Sequence, residues 1–190
     1  MTKTIQKVLS AYFPISEQTA KALSHTAEIV GYTENDFLEK ENQKIISEFV
    51  VLDGIVRGFI YNNRGDDITV NFYTDGCAIT PAIMRGHQHQ SIYNFQIISE
   101  KASILVFNNM RMEQEMPKYK DLEMFGNTVV MMDSLRRVER EITLLKETAE
   151  GKLEWFRKNF PNLENQIQHY YIASFLGITP TSLSRIRGKK

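Results

Sequence analysis

Cysteine occurs once in the 190 residues, as Cys77. No internal disulfide can form, and one thiolate cannot by itself hold an iron–sulfur cluster or a structural zinc. No apolar run approaches the roughly 20 residues that span a bilayer. The polar start, Met1–Lys7, leads into no signal-peptide core. The chain also lacks net charge, with 23 basic and 23 acidic residues. A surface that attracts nucleic acid or anionic lipid all over is therefore excluded. No glycine-rich phosphate loop, zinc-protease motif or nucleophile elbow occurs, and no Ser/His/Asp spacing marks a triad. These absences predict a cytoplasmic, non-enzymatic protein with no membrane partner, metal or cofactor. The hydrophobic fraction of 42% suffices for a packed core.

Two weaker constellations resolve toward ordinary roles. His87-Gln88-His89 puts two imidazoles on one side of an extended segment, but no third ligand stands at a metal-binding spacing. A solvated loop follows. Cys77 beside Gly76 reads as packing, and the methionines from Met110 to Met132 read as adaptable core or dimer filling.

What the chain does have lies at its C-terminus. Residues 169–188 carry the steric code of a helix-turn-helix. Ala173 is the small residue where two helices touch, and Gly177 can take the left-handed conformation that ends the first. Ile172, Leu176, Ile178, Leu183 and Ile186 supply a shared core at helical spacings. Thr179 is placed to cap the second helix, with Pro180 at its first position, where a missing N–H costs nothing. Charge follows the same segment. From Gln166 to Lys190 there are four basic residues, Arg185, Arg187, Lys189 and Lys190, and no acidic one. Attraction to phosphate is thus concentrated at one end. Thr181, Ser182, Ser184 and Arg185 are expected on the outer face, where an arginine can reach guanine and short hydroxyls can hold phosphate oxygens.

Upstream, residues 1–30 read as helical, broken at Pro14, with Ser16 capping a second helix. From about Tyr32 to Phe107 the pattern is of short strands between turns. Asp53-Gly54 predicts a hairpin between Ile45–Leu52 and Ile55–Tyr61. From Leu122 the helical period returns through Phe125, Val129, Met132, Leu135, Val138, Ile142 and Leu145. This stripe, backed by a face carrying Arg136, Arg137, Glu139, Arg140 and Glu141, predicts about six turns of helix. It serves either as a core helix of the β domain or, as its near-heptad spacing favours, as a dimerisation helix. A helix from Thr148 to Asn159 and a short link through Pro161 lead into the helix-turn-helix.

This order of parts resembles the Crp/Fnr family of bacterial regulators, over nearly the whole chain. Ile172-Ala-Ser-Phe-Leu-Gly-Ile-Thr-Pro-Thr-Ser-Leu-Ser-Arg-Ile-Arg187 is similar to the family's helix-turn-helix signature. Phe49-Val-Val-Leu-Asp-Gly-Ile-Val-Arg-Gly58 is similar to its strand pair. The resemblance implies an α+β fold: an N-terminal β-roll of the cyclic-nucleotide-binding type with flanking helices, a long dimerisation helix and a small all-α helix-turn-helix domain. It implies domains at 1–147 and 148–190, base reading by Thr181 and Arg185, and phosphate contacts near Thr179 and Ser182.

The sequence departs from the family in two places. Thr80-Pro81 and Gln90-Ser91 stand where the family has Gly-Glu and Arg-Ser around a cyclic-nucleotide phosphate. A backbone donor, a ribose-binding glutamate and the phosphate-pairing arginine are all absent there. Arg85 is the one nearby substitute, leaving Thr80, Arg85, Gln90 and Ser91 as the candidate ligand residues. Control by cyclic AMP is not expected. The path from Trp155 to the helix-turn-helix also leaves little room for a β-hairpin wing. The expectation is a homodimer that binds a palindromic site in double-stranded DNA and answers to an unidentified small-molecule effector or to none. The alternative is a ligand-binding or protein-interaction module whose helix-turn-helix is structural.

Overall fold

Residues 1–188 are described by a computed structural model. Two short helices open the chain, α1 (Thr2–Leu9) and α2 (Glu17–Leu23). Ser16 caps α2 by accepting the Thr19 N–H, as its spacing predicts. α1 stops before the apolar Tyr12 and Phe13, which continue in turns and still pack on the core. The strands begin within the segment expected to be helical, with β1 at Ala27–Thr33.

The β-roll continues through β2 (Phe37–Glu39), β3 (Ser47–Asp53), β4 (Val56–Tyr61) and β5 (Asp67–Tyr73). A one-turn helix, α3 (Ala82–Arg85), precedes the minimal pair β6 (Gly86–His87) and β7 (Gln90–Ser91). β8 (Asn94–Ile97) and β9 (Lys101–Asn108) complete it. The strands form two larger antiparallel sheets, ordered β1-β9-β3 and β2-β8-β4-β5. Asp53-Gly54 is therefore a corner and not a hairpin: β3 pairs with β9, whereas β4 pairs with β5 and β8. The same turn chemistry serves both uses, and only the long-range partner decides between them.

Period-two alternation sets the layers. Phe49 and Val51 of β3 and Ala102, Ile104 and Val106 of β9 share one core with Val56, Tyr73, Phe95 and Ile97 of the other sheet. Their neighbours Val50, Leu105 and Phe107 point the other way, into a layer with α1 and α2. Phe72 of β5 faces outward from the second sheet and joins the C-terminal helices.

After β9 come α4 (Asn109–Glu115), a 3₁₀ turn, and the 27-residue α5 (Lys120–Lys146). The apolar stripe of α5 divides in two. Leu122, Phe125 and Val129 are buried against the roll, but Met132, Leu135, Val138, Ile142 and Leu145 are exposed, Leu145 by 82%, as is Met131 beside them. Along that second half three charged residues turn inward. Asp133 is buried, Arg137 bonds Asp133 and the Tyr93 hydroxyl, and Arg140 donates to the Phe175 carbonyl at 2.7 Å. Arg137 and Arg140, expected on a solvated face, instead hold α5 to the rest of the chain. No described helix is long and apolar enough to cross a membrane.

α6 (Ala149–Asn159), capped by Thr148, is followed by α7 (His169–Leu176) and α8 (Pro180–Arg187). Leu153, Phe156, Phe160, Ile172, Phe175, Leu183 and Ile186 form one core with Ile55 and Phe72. Buried Arg57 completes the contact, its guanidinium 4.0 Å from the Tyr171 ring centroid and 4.6 Å from that of Phe59. It also pairs with Asp67 at 2.8 Å.

Gly54 is at φ +102°, and a Cβ there would lie 2.7 Å from Ala102 Cβ and 2.8 Å from the Lys101 carbonyl oxygen. Gly54→Ala is expected to destabilise the protein by roughly 2–3 kcal/mol. The check is a lower denaturant midpoint with an unchanged slope.

Candidate nucleic-acid interface

Local chemistry builds the C-terminal pair of helices as the sequence predicts. Gly177 ends α7 at φ +61°, and the Ile178 N–H returns to the Ala173 carbonyl at 3.0 Å. Ala173 is 1% exposed at the crossing, and Ile172, Leu176, Leu183 and Ile186 are buried around it. Thr179 caps α8 by accepting the Ser182 N–H at 3.0 Å, while its hydroxyl donates to Ser182 Oγ at 2.9 Å.

Burying that face of α8 leaves Thr179, Thr181, Ser184 and Arg185 exposed and Ser182 half-buried. Arg185 forms no ion pair among the described residues. A free guanidinium flanked by hydroxyls, on a helix backed by a rigid core, can read base edges while the hydroxyls meet phosphates.

Arg187 is placed differently from Arg185. Its Nε donates to Glu164 at 2.6 Å, and it contacts His169 Nδ1 at 2.8 Å. Arg157 bonds the same carboxylate with two contacts of 2.6 and 3.0 Å. Hydrogen bonds from Arg157, then Arg187, hold the Glu164 carboxyl below the usual carboxylate range. Arg187 thus ties α8 to the link before α7. Glu164 lies two residues outside the acid-free stretch, so the local charge pattern gave no sign of it. Lys189 and Lys190 lie outside the described residues. No strand follows β9 among the described residues, and a 3₁₀ turn at Leu163–Asn165 occupies the link.

The four candidate ligand residues are drawn into internal contacts, except one. Gln90 is exposed on the β6-β7 hairpin, whose turn residues Gln88 and His89 have positive φ. Ser91 Oγ donates to the Tyr93 carbonyl and accepts the Tyr93 N–H. Thr80 donates to Asp133 at 3.0 Å and accepts from Arg137 at 2.9 Å, with the Tyr73 hydroxyl at 2.7 Å. Burial pushes the Tyr73 phenol up to about 12, so it stays neutral.

Arg85 is fully buried and fully engaged. Its Nε and one amino group bond Glu39 at 2.9 and 3.2 Å. The other amino group bonds Glu48 and the Thr80 carbonyl, each at 2.8 Å. The Ser47 carbonyl accepts the fifth N–H. A guanidinium has five N–H donors, and here each has a protein acceptor. Burial raises the Glu48 carboxyl above its usual range against the opposing pull of Arg85. Two carboxylates therefore occupy the place around Arg85 that a phosphate would need. Glu39 and Glu48 were missed because they stand 46 and 37 residues from Arg85 along the chain. No group of three His, Cys, Asp or Glu residues suited to a metal occurs among the described residues.

Removing the Arg85 charge leaves two carboxylates without their partner. Arg85→Met is expected to cost roughly 3–5 kcal/mol of stability. Adding Glu39→Gln to it should recover part of the loss, as measured by chemical denaturation.

No protein-family model and no curated protein matches the sequence. Solved structures do match. FixK2 from Bradyrhizobium japonicum aligns with a TM-score of 0.71 at 14% identity, over 86% of this chain and 83% of that one. A chain from Eubacterium rectale assigned to the Crp/Fnr transcriptional regulators aligns with a TM-score of 0.73 at 14% identity, over 93% and 85%. CLP of Xanthomonas campestris, a c-di-GMP-responsive global regulator, gives 0.70 at 9% identity, over 92% and 91%. At these identities the likeness is one of fold, and the fold is that of Crp/Fnr regulators.

Proposed function

We propose that this chain, built on the Crp/Fnr fold, is a homodimeric, sequence-specific DNA-binding transcription regulator that is not controlled by cyclic AMP. The observation that carries the reading is α8: a capped helix on a buried core, with Thr181, Ser184 and Arg185 exposed together. Residues 148–190 would form the output module and residues 1–147 the sensor and dimer module. Thr179, Ser182, Lys189 and Lys190 would meet phosphate. Arg187 would act mainly by fixing α8 through Glu164.

The second copy is argued from α5. Met131, Leu135, Val138, Ile142 and Leu145 alternate in steps of four and three, the spacing of a two-stranded seam. They are exposed in a single chain while charged residues of the same helix face inward. Covering them with a two-fold copy resolves that inversion. Freedom from cyclic AMP is argued from Arg85, whose donors are already taken.

Selection from random duplexes with the purified protein is expected to enrich a palindrome with half-sites about 34–36 Å apart, one helical turn. Arg185→Ala should lose roughly 1–3 kcal/mol of discrimination at one base position. Equal loss on specific and non-specific DNA would refute its base-reading role. If nothing is enriched at any salt concentration, the helix-turn-helix is structural and the alternative stands.

Leu135→Glu removes one seam leucine from each protomer and buries a charge in its place. Burial of one leucine contributes roughly 1.5–3 kcal/mol, so the dimer should weaken by about a hundredfold or more. Sedimentation should show monomer with the fold retained.

A further inference from the structure

A cavity of about 260 Å³ lies between the outer face of the β1-β9-β3 sheet, α3, α4 and α5. An engineered apolar cavity of about 150 Å³ already takes up benzene. Ile79, Ile83, Met112, Met116, Phe125 and Val130 contribute its apolar walls. The two methionines are flexible and polarisable, suited to an apolar guest of variable shape. Met116 packs over Gly126, where an added Cβ would stand 3.2 Å from its Cε.

The polar residues of the lining are Glu48, Asn109, Glu113 and Asn127, and no lysine, arginine or histidine is among them. Glu48 shares the single charge of Arg85 with Glu39, so this wall of the cavity is anionic as well. Glu113 is exposed, accepts one hydrogen bond from the Asn109 side chain at 3.1 Å, and forms no ion pair among the described residues. An apolar body and a carboxylate, with no cation to receive an anion, define the ligand by charge complementarity.

We propose that this cavity binds a small aryl- or alkylammonium ion, with its apolar part between Met116 and Phe125 and its ammonium group at Glu113. The site is separate from the Arg85 node, yet it touches it. Ala82 and Ile83 of the lining belong to the helical turn that carries Arg85, and the Ala82 N–H donates to Glu48 at 2.9 Å. Phe125 and Val130 belong to α5. Occupancy would thus press on the ion-pair node and on the long helix together, which makes the cavity an effector site. That effector role rests on the DNA-regulator reading; the binding does not.

The test is calorimetric titration of the full-length protein with 1-naphthylmethylamine, its neutral isostere 1-naphthalenemethanol and the anion 1-naphthoate. The amine should bind one to one, about tenfold tighter than the anion. Glu113→Gln should weaken the amine about threefold and leave the alcohol unchanged, in keeping with an exposed ion pair. Val130→Trp should abolish binding of all three, and Gly126→Leu serves the same purpose should the first variant not fold. No heat with the amine at about 1 mM, tighter binding of the anion, or unchanged binding in a folded cavity-filled variant would each overturn the proposal. DNA affinity measured on the same samples separates the two readings. Amine binding with unaltered DNA affinity overturns the effector role alone, whereas amine binding by a protein with no DNA affinity at all overturns the regulator reading and leaves the site standing.

Discussion

The second half of α5 is inside out, and the arrangement of the chain follows from that. Asp133 is buried on this helix, where it accepts from Thr80 and Arg137. Arg137 also reaches Tyr93, and one turn further Arg140 reaches the Phe175 carbonyl at the end of α7. A single polar edge therefore ties the helix to the roll at one level and to the C-terminal helices at the next. Partly buried ionic contacts of this kind contribute little net stability when compared with an apolar replacement, because desolvation offsets the attraction. They do fix register, since a carboxylate and a guanidinium tolerate few alternative partners. The apolar residues displaced from the inner face are left outside, and they form the seam on which the homodimer reading rests.

The C-terminal helices are not loosely tethered to this frame. Phe72 of the second sheet lies within 6.0 Å of Phe156, Phe160 and Phe175, ring centroid to centroid. Arg57 is held between Phe59 and Tyr171, and the Thr69 N–H donates to Ser174 Oγ at 2.9 Å. Edge-to-face and tilted rings, a desolvated guanidinium and a backbone-to-side-chain hydrogen bond span the same junction, a combination that resists shear. At the other end of the roll, Arg85 gathers Glu39, Glu48 and two carbonyls around itself. In a fold where a bound anion can serve as the organising charge, the chain supplies that charge from its own carboxylates. The proposed transcription regulator would then have this end of its roll already assembled without nucleotide.

What could be read from the sequence was what local rules decide. Gly177, Thr179-Pro180 and Ser16 each act through neighbours three or four residues away, and each cap or turn forms as its spacing indicates. The exposed face of α8 follows from its buried one by helical period alone. The features that escaped are those set by distant partners. Asp53-Gly54 has hairpin chemistry, yet which strand lies beside β3 is decided by β9, about fifty residues later. The stripe on α5 has one period throughout, and nothing in that period says where it leaves the core for solvent. Arg85 was visible as an isolated cation between Thr80 and Gln90, but its saturation depends on two carboxylates from β2 and β3 that no spacing rule connects to it. Glu164, the partner of Arg187, sits just beyond a stretch read as purely basic.

In the proposed dimer two copies of α8, aligned by α5, read one face of a DNA duplex. Hydroxyl-radical footprinting of the wild-type protein on its selected duplex tests it most directly. Two protected patches related by two-fold symmetry are expected, about one helical turn or 10–10.5 base pairs apart centre to centre, with both patches lost together in a monomeric α5 variant. A single patch, or protection spread evenly along the duplex, would contradict it.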